Sequence, residues 1–347
     1  PNATQDALSA FYQAAPCTVI EFGEGTFNLE TTLIVVDTEC VTIKGQGRDK
    51  TILNFAGSDS REGILASHVK GIIIEHLTVL NTPGDAIKVS DSTFVTIRHA
   101  KAEWTGLGCT PNKPNCATNG AYAIYPVLSQ HVLVDDVIAI GASDAGIYVG
   151  QSRDVLVINS RAEFNVAGFE FENTDRCEEY DNVATNNVGG FLLFDLPGLT
   201  QYGDQCRITR NKSYTNNTDN FAPVGNIVGL VPRGTGILVF YALIDGDKTM
   251  QSQTNGDWRY DLHPERAWIH DNKFGSVTEG RVPNGTKPAT DTSRGDAGLL
   301  PAVLVAKRQV TIAPPSSQTA PNATQLSADI VWDGIEDKYD ADCPYPT

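Results

Sequence analysis

The chain has 347 residues, with 42 acidic and 26 basic side chains, a net charge of −16 at pH 7 and 41% hydrophobic residues. A nucleic-acid-binding protein needs a basic surface, so this charge balance excludes that class of partner. No apolar run reaches the roughly 18–20 residues that span a membrane, and we therefore predict no transmembrane segment. Because the chain begins at Pro1 rather than at Met, we expect a processed mature protein.

Residues 1–16 favour a short amphipathic helix. Asn2 or Thr4 can cap its start, and an apolar stripe follows at Ala7, Leu8, Phe11 and Ala15. We expect this helix to cover the N-terminal end of the repeats that come after it, since an open end would present unpaired strand edges.

From residue 17 onwards, short segments rich in Val and Ile alternate with turns of Gly, Asn and Asp. One pattern returns at steps of 23, 22 and 22 residues, and its shared apolar position is occupied by Ile124, Ile147, Phe169 and Phe191. A fixed period of this size indicates a solenoid. Each repeat has room for three strands of about 4–5 residues and for no helix. The sequence therefore predicts an all-β fold, a right-handed parallel β-helix over residues 17–275.

This frame predicts which side chains share a surface. Equivalent residues of successive coils stack about 4.8 Å apart, so the four apolar residues form an inward ladder. The next residue of each repeat then points outward. The outward column contains the four candidate catalytic residues, Lys88, Tyr125, Tyr148 and Glu170. Around it lie the candidate substrate-binding residues, Asp85, Tyr122, Asp144, Gln151, Arg153 and Glu172.

Three stretches interrupt the period, at residues 105–119, 195–205 and 215–235. Insertions in solenoids map to loops on one face, which is often the binding face. Residues 276–347 are rich in Pro, Gly, Ser and Thr, and we expect this C-terminal extension to pack on the solenoid or on a neighbouring molecule.

Seven cysteines favour an oxidising compartment. Cys17 and Cys40 are one coil apart, and Cys177 and Cys206 occupy equivalent positions, which brings each pair within disulfide distance. We expect three bridges, Cys17–Cys40, Cys109–Cys116 and Cys177–Cys206, with Cys343 left over. Buried free thiols are the alternative. The expected location is secreted or extracytoplasmic, whether extracellular, periplasmic or on the outer surface.

The chain resembles right-handed parallel β-helix proteins of the pectate-lyase-like superfamily, and within it an uncharacterised bacterial family of secreted or lipoprotein β-helix repeat proteins. The residues that carry the resemblance are 84–88, 103–106, 118–122, 142–152 and 194–199. The resemblance implies the fold and secretion rather than an activity. The paired aspartates of polygalacturonases and the calcium-binding carboxylates of pectate lyases have no counterpart in the chain, so no catalytic residue carries over.

The outward column suggests carbohydrate chemistry. Tyrosine rings can stack on sugar rings, and Lys, Tyr and Glu can act as acids or bases. We expect the protein to bind an extracellular polysaccharide and, if it is an enzyme, to act as a lyase or epimerase. Such residues also pack well on any outward sheet surface, which leaves open a structural or adhesive subunit that associates with itself through the tail or the solenoid ends.

The sequence indicates no cofactor. The six histidines have no metal-type spacing. Calcium could bind at the turn residues Asp135–Asp136, Asp181–Asn182 or Asn186–Asn187, although these residue types more often form Asx turns and asparagine ladders.

Overall fold

The computed structural model describes residues 3–106, 114–196, 198–203 and 205–244, together with five short strands between residues 268 and 339. Cys109 and Cys343 lie outside these residues, and so does the expected Cys109–Cys116 bridge. No helix in the described part of the chain is long and apolar enough to cross a membrane.

The N-terminal helix α1 spans Ala3–Tyr12, somewhat shorter than the predicted stretch. Its buried side packs on the first coil, where the rings of Phe11 and Phe22 lie 6.3 Å apart. Thr4 lies inside the helix rather than capping it, and its hydroxyl accepts a hydrogen bond of 3.2 Å from the backbone N–H of Glu30.

The rest of the described chain is built almost entirely from short strands. In chain order these are β1 (Val19–Glu21), β2 (Gly25–Asn28), β3 (Leu33–Lys44), β4 (Thr51–Asn54), β5 (Ile64–Glu75), β6 (Thr78–Leu80), β7 (Ile87–Ser90), β8 (Thr93–Arg98), β9 (Lys101–Glu103), β10 (Tyr122–Val127), β11 (Gln130–Asp135), β12 (Ile138–Ile140), β13 (Ala145–Gly150), β14 (Arg153–Ile158), β15 (Arg161–Glu163), β16 (Ala167–Glu172), β17 (Asp175–Tyr180), β18 (Val183–Thr185), β19 (Gly189–Asp195), β20 (Arg207–Thr209), β21 (Lys212–Tyr214), β22 (Thr235–Ile244), β23 (Trp268–His270), β24 (Lys273–Gly275), β25 (Val303–Val310), β26 (Val331–Ile335) and β27 (Lys338–Tyr339). A short 3-10 helix, Ile227–Leu230, precedes β22.

These strands form three parallel stacks, and a complete coil contributes one strand to each. The first stack contains the N-terminal parts of β3 and β5, then β7, β10, β13, β16, β19, β22 and β25. The second contains β1, the C-terminal parts of β3 and β5, then β8, β11, β14, β17, β20 and β23. The third contains β2, β4, β6, β9, β12, β15, β18, β21 and β24. The predicted parallel β-helix is confirmed, and β26 and β27 pair antiparallel with β25 and β23.

The predicted inward ladder is also confirmed. The pairing of the first stack aligns Ile124 with Ile147, Ile147 with Phe169, and Phe169 with Phe191. These side chains are buried in the lumen, and the rings of Phe169 and Phe191 stack 4.7 Å apart. Branched aliphatic and aromatic side chains fill the lumen because they pack well on successive pleats.

Two of the expected disulfides are present. Cys17 is bonded to Cys40 and Cys177 to Cys206, with Cα–Cα distances of 4.2 and 4.4 Å. Each bridge joins neighbouring coils, so the repeat register is correct at both places.

One carboxyl group faces the lumen, and sequence analysis did not single it out. Glu179 stands between Val157 and Ile208 in the second stack and is buried. Neither of its carboxyl oxygens has a hydrogen-bond partner within the described residues, and burial raises its pKa well above the usual value.

Buried asparagines fix both ends of the segment 215–234, the longest insertion in the described residues. Asn165, Asn187 and Asn216 stack at one corner. Oδ1 of Asn187 accepts from the backbone N–H and the Nδ2 of Asn165, and Oδ1 of Asn216 accepts from the same two groups of Asn187, at 2.9–3.0 Å. The backbone oxygen of Asn216 then accepts from the N–H of Gly234, at 2.6 Å. The segment therefore leaves and rejoins the solenoid at one point, beside the first stack.

Candidate functional site

The predicted outward column lies on the outer face of the first stack. Lys88 aligns with Tyr125, and Tyr148 aligns with Glu170. The alignment of Ile124 with Ile147 places Tyr125 beside Tyr148. Successive side chains of a strand point to opposite faces, so these residues point away from the lumen because their neighbours fill it.

Three tyrosines of this face form one aromatic cluster. The ring centroids of Tyr122 and Tyr125 are 4.5 Å apart, those of Tyr122 and Tyr148 are 4.7 Å apart, and those of Tyr125 and Tyr148 are 5.0 Å apart. The Nζ of Lys88 lies 4.8 Å from the centre of the Tyr125 ring and 3.6 Å from a carboxyl oxygen of Asp85. The cluster therefore has a cationic side toward the N-terminal coils.

Carboxyl groups adjoin the other side of the cluster. The hydroxyl of Tyr122 donates to Oδ2 of Asp144 at 3.3 Å, and the hydroxyl of Tyr148 donates to Oε1 of Glu172 at 2.8 Å. Oδ1 of Asp144 and Oε2 of Glu170 are buried without a hydrogen-bond partner within the described residues. We call the three tyrosines with Asp144, Glu170 and Glu172 the tyrosine–carboxyl cluster.

The environment raises the pKa of every carboxyl group on this face. Burial raises the pKa of Asp144 to about 7, the nearby Glu172 carboxylate adds to the increase, and the hydrogen bond from Tyr122 opposes it. Burial and the charge of Asp144 raise the pKa of Glu170 well above its usual value. Burial also raises the pKa of Glu172 against the hydrogen bond from Tyr148, and that of Asp85 against the charge of Lys88. Carboxylic acids with raised pKa values can donate protons.

Burial likewise raises the pKa of the hydroxyls of Tyr122, Tyr125 and Tyr148. At neutral pH these hydroxyls stay protonated and act as hydrogen-bond donors. A tyrosine of this cluster can therefore accept a proton only when a carboxylate takes its own proton at the same time, which the bond from Tyr122 to Asp144 allows.

Tyr148 and Glu170 point away from the lumen as predicted, yet they are only 3% and 2% exposed. The segment 215–234 covers this part of the column, and its residues Val228 and Val231 belong to the same apolar cluster as Tyr148. Burying these side chains in one cluster removes apolar surface from water. Tyr125, Lys88 and Glu172 stay half-buried and can be reached from solvent.

Sequence analysis missed Asn226, which connects the covering segment to the cluster. Its Nδ2 donates to Oδ2 of Asp144 at 3.1 Å. The only signal in the sequence was its position inside an interruption of the repeat, because nothing in a non-repeating segment indicates which coil it contacts.

Gln151 and Arg153 lie beside the cluster and hold the 195–205 loop. Oε1 of Gln151 accepts hydrogen bonds from the backbone N–H and the hydroxyl of Thr200, at 3.1 and 2.9 Å. Nε of Arg153 donates to Oε1 of Gln201 at 3.1 Å, and Gln201 in turn donates to the backbone oxygens of Ser152 and Asn173. Gln151 and Arg153 therefore position the loop that borders the site.

Among the described residues, no three His, Cys, Asp or Glu side chains are grouped in a way that could hold a metal ion. Asp136, one of the expected calcium ligands, pairs with Arg48 and His99, and Asp181 pairs with Arg210 at 2.8 Å. Asn187 belongs to the buried asparagine stack. Calcium binding stays a prediction.

Several solved structures are similar to this chain. The A-module of the mannuronan C-5 epimerase AlgE6 from Azotobacter vinelandii has 17% sequence identity and a TM-score of 0.46, over 78% of this chain and 65% of that chain. The A-module of AlgE4 from the same organism has 13% identity and a TM-score of 0.38, over 68% and 76% of the two chains. An alginate lyase from Paenibacillus sp. str. FPU-7 has 14% identity and a TM-score of 0.35, over 69% and 91%. At these identities the similarity concerns the fold alone.

No curated protein sequence matches the chain. The family model described as "Right handed beta helix region" matches residues 39–213, just over half of the length. This match covers the coils that carry the inward ladder and the tyrosine–carboxyl cluster. The chain belongs to the right-handed β-helix family.

Proposed function

We propose that this protein binds an extracellular polysaccharide at the tyrosine–carboxyl cluster and catalyses proton transfer on a bound uronate unit, as a lyase or an epimerase does. The observation that carries the proposal is the contact of three tyrosines with one another and their hydrogen bonds to two carboxyl groups of raised pKa. Aromatic faces stack on sugar rings. Ionisable groups with strongly perturbed pKa values, gathered at one place on a protein, are typical of catalytic sites.

The reaction needs a base for the proton on C5 of the sugar. Tyr122 is the best-placed acceptor because its own proton can pass to Asp144 as the C5 proton arrives. The electron pair of the broken C–H bond moves toward the sugar carboxylate, whose negative charge then increases. Lys88, the cation beside Tyr125, can stabilise this charge.

The reaction also needs an acid. Glu172 is half-buried, its pKa is raised, and Tyr148 holds it in place. In an epimerase the acid returns a proton to the opposite face of C5. In a lyase it protonates the glycosidic oxygen on C4 as that C–O bond breaks and a C4=C5 double bond forms. Both reactions balance without a redox cofactor.

The net charge of −16 suggests that the protein repels a polyanionic uronate chain, but the charges at the site itself favour binding. A carboxyl group with a raised pKa is neutral over a wider pH range and can donate a hydrogen bond to a carboxylate of the substrate. Lys88 adds one positive charge. The distant acidic surface repels a polyanion only through solvent, where salt screens the interaction.

The two disulfides support an extracytoplasmic location, because such bonds persist in oxidising compartments. A polysaccharide of the cell exterior or surface is therefore the substrate class to test.

The test is hydrogen exchange in deuterated water. The protein is incubated with polymannuronate, polyguluronate and polygalacturonate, and NMR follows deuterium at C5 while ultraviolet absorbance follows unsaturated products. We expect one polymer to gain deuterium at C5 if the enzyme is an epimerase, or to give unsaturated products if it is a lyase. Tyr122→Phe should abolish whichever activity is found. Tyr180→Phe, which changes a tyrosine of the second stack, should leave it unchanged. Absence of exchange and of unsaturated products with all three polymers would refute the catalytic part of the proposal.

A further inference from the structure

The outward column extends beyond the tyrosine cluster toward the N-terminus. The strand pairing aligns Lys88 with Leu65, and Leu65 with Ile34. A second row runs beside the column, two residues further along each strand. It consists of Val36, Ser67, Ser90 and Val127.

Exposure changes sharply along this surface. Ile34 and Val36 at its N-terminal end are 45% and 49% exposed, which is unusual for two neighbouring aliphatic side chains. Leu65, Lys88 and Tyr125 are half-buried. From Tyr148 onwards the column is covered.

Two insertions close the far end. On one edge, Val228 and Val231 belong to the same apolar cluster as Tyr148 and Leu192, and Asn226 donates a hydrogen bond to Asp144. On the other edge, Gln151 and Arg153 fix the 195–205 loop. A sugar chain that ran straight through the cluster would have to break these apolar contacts and hydrogen bonds together.

We propose that this surface is a groove closed at one end, so that the protein takes the end of a glycan chain at the tyrosine cluster and the rest of the chain lies along Leu65 and Ile34. This inference rests on the proposed function and adds the direction and the mode of binding. The steps from Tyr125 to Lys88, Leu65 and Ile34 are three coil spacings of about 4.8 Å, or about 14 Å in all. This length accommodates a few sugar units.

The chemistry of the open strip suits a sugar chain. Ile34, Val36 and Leu65 offer apolar surface to the ring faces. Ser67 and Ser90, joined by a hydrogen bond of 2.9 Å, offer hydroxyls to the ring substituents. The enzyme then acts on units at the end of a chain rather than at random within it.

Calorimetric titration tests the mode of binding through its stoichiometry. The probes are oligosaccharides of mannuronate, of guluronate and of galacturonate and, as a neutral series, of glucose, each from the dimer to long chains. If the groove is closed at one end, one protein molecule binds to each sugar chain, whatever the length of the chain. If the groove is open at both ends, the number of protein molecules bound to each sugar chain rises with the length of the chain. That result would overturn the inference and leave the proposed function intact. Absence of binding to all four series would overturn both the inference and the proposed function.

A matched pair of variants tests the strip itself. Ile34→Asp places a charge at the open end of the first stack, and Val19→Asp places the same charge at a β-branched side chain of the second stack that is 57% exposed. For the uronate that binds, we expect Ile34→Asp to weaken the binding of long chains at least fivefold and to leave the binding of the dimer unchanged. We expect Val19→Asp to change neither. Equal loss for the dimer and the long chains, or no loss for either, would contradict the proposed path of the chain.

Discussion

The hydroxyl of Tyr148 donates a 2.8 Å hydrogen bond to Glu172, which comes from the next coil. We infer that Tyr148 positions Glu172 and that Glu172 is the acid. Glu172→Gln should therefore lower kcat by about 10²–10⁴-fold, the usual contribution of a general acid. Tyr148→Phe keeps the ring but loses the hydrogen bond, so it should lower kcat less. Because the two residues act as a unit, the double variant should be no slower than Glu172→Gln.

Glu178→Gln is the matched control for this experiment. Glu178 belongs to the second stack, where it pairs with Arg207 at 3.2 Å. Its replacement should leave kcat unchanged. Additive losses for the two cluster variants would show that Tyr148 and Glu172 act separately.

A second prediction concerns the pH dependence of the rate. Burial raises the pKa of Asp144 to about 7, and its ionised form is the one that can accept the proton of Tyr122. On a uronate polymer, kcat should therefore rise as the pH passes upward through about 7. KM should rise over the same range, because the new negative charge repels the substrate. Steady-state kinetics over this pH range measure both quantities.

Asp144→Asn serves as the control for the pH profile. It should be nearly inactive, and its remaining rate should show no rise near pH 7. A variant that kept the rise would assign it to another group and remove Asp144 from the mechanism.

The repeat period is what made most of the fold predictable. In a parallel β-helix the period decides which side chains face inward, so steps of 22 and 23 residues were enough to align Ile124 with Ile147 and Cys17 with Cys40. The same register contained a signal that was overlooked. Glu179 follows Cys177 by two residues, as Val157 follows Val155, and it therefore had to face the lumen.

The cover over the cluster could not be predicted in this way. The segment 215–234 does not repeat, so no register places Asn226 or Val228, and their contacts depend on how an irregular segment packs across several coils. The burial of Tyr148 follows from that packing. The repeat register predicts that the side chain of Tyr148 points away from the lumen, but it does not predict that another segment covers it.

Glu179 gives a prediction about stability. In the folded protein its pKa is raised by burial, whereas in the unfolded chain it ionises near the ordinary value of about 4.3. The contribution of Glu179 to the free energy of unfolding is therefore largest below that value, and it falls by up to about 1.4 kcal/mol for each pH unit as the pH rises toward the folded pKa. Glu179→Gln should remove this contribution and raise stability at neutral pH. Guanidinium unfolding at several pH values measures it.

The control for this measurement is again Glu178→Gln, a neighbour whose side chain is half-buried and paired. It should keep the pH profile of the wild-type protein. If Glu179→Gln also kept that profile, a cation or a hydrogen-bond donor near the lumenal carboxyl would have to stabilise its charged form.

The disulfides give a prediction about both stability and register. Replacing either pair, Cys17 with Cys40 or Cys177 with Cys206, by serines should lower the free energy of unfolding by about 2–4 kcal/mol, because the unfolded chain loses a constraint. Denaturant unfolding measures the loss. A non-reduced digest analysed by mass spectrometry should contain both linked peptides, and a peptide linking Cys17 to Cys177 would show that the coil register is wrong.

The central claim is that the exposed side of the tyrosine cluster binds sugar. Its most direct test is calorimetric titration of mannuronate, guluronate, galacturonate and glucose oligosaccharides into the wild-type protein and into two variants, Tyr125→Ala and Tyr180→Ala. The two positions are matched, because each tyrosine lies on an outer face beneath a cation, Lys88 at 4.8 Å and Arg210 at 4.6 Å. We predict that Tyr125→Ala weakens binding at least tenfold, about 1.4 kcal/mol, and that Tyr180→Ala leaves it unchanged. Equal affinity for the two variants and the wild-type protein would place the binding site elsewhere and contradict the claim.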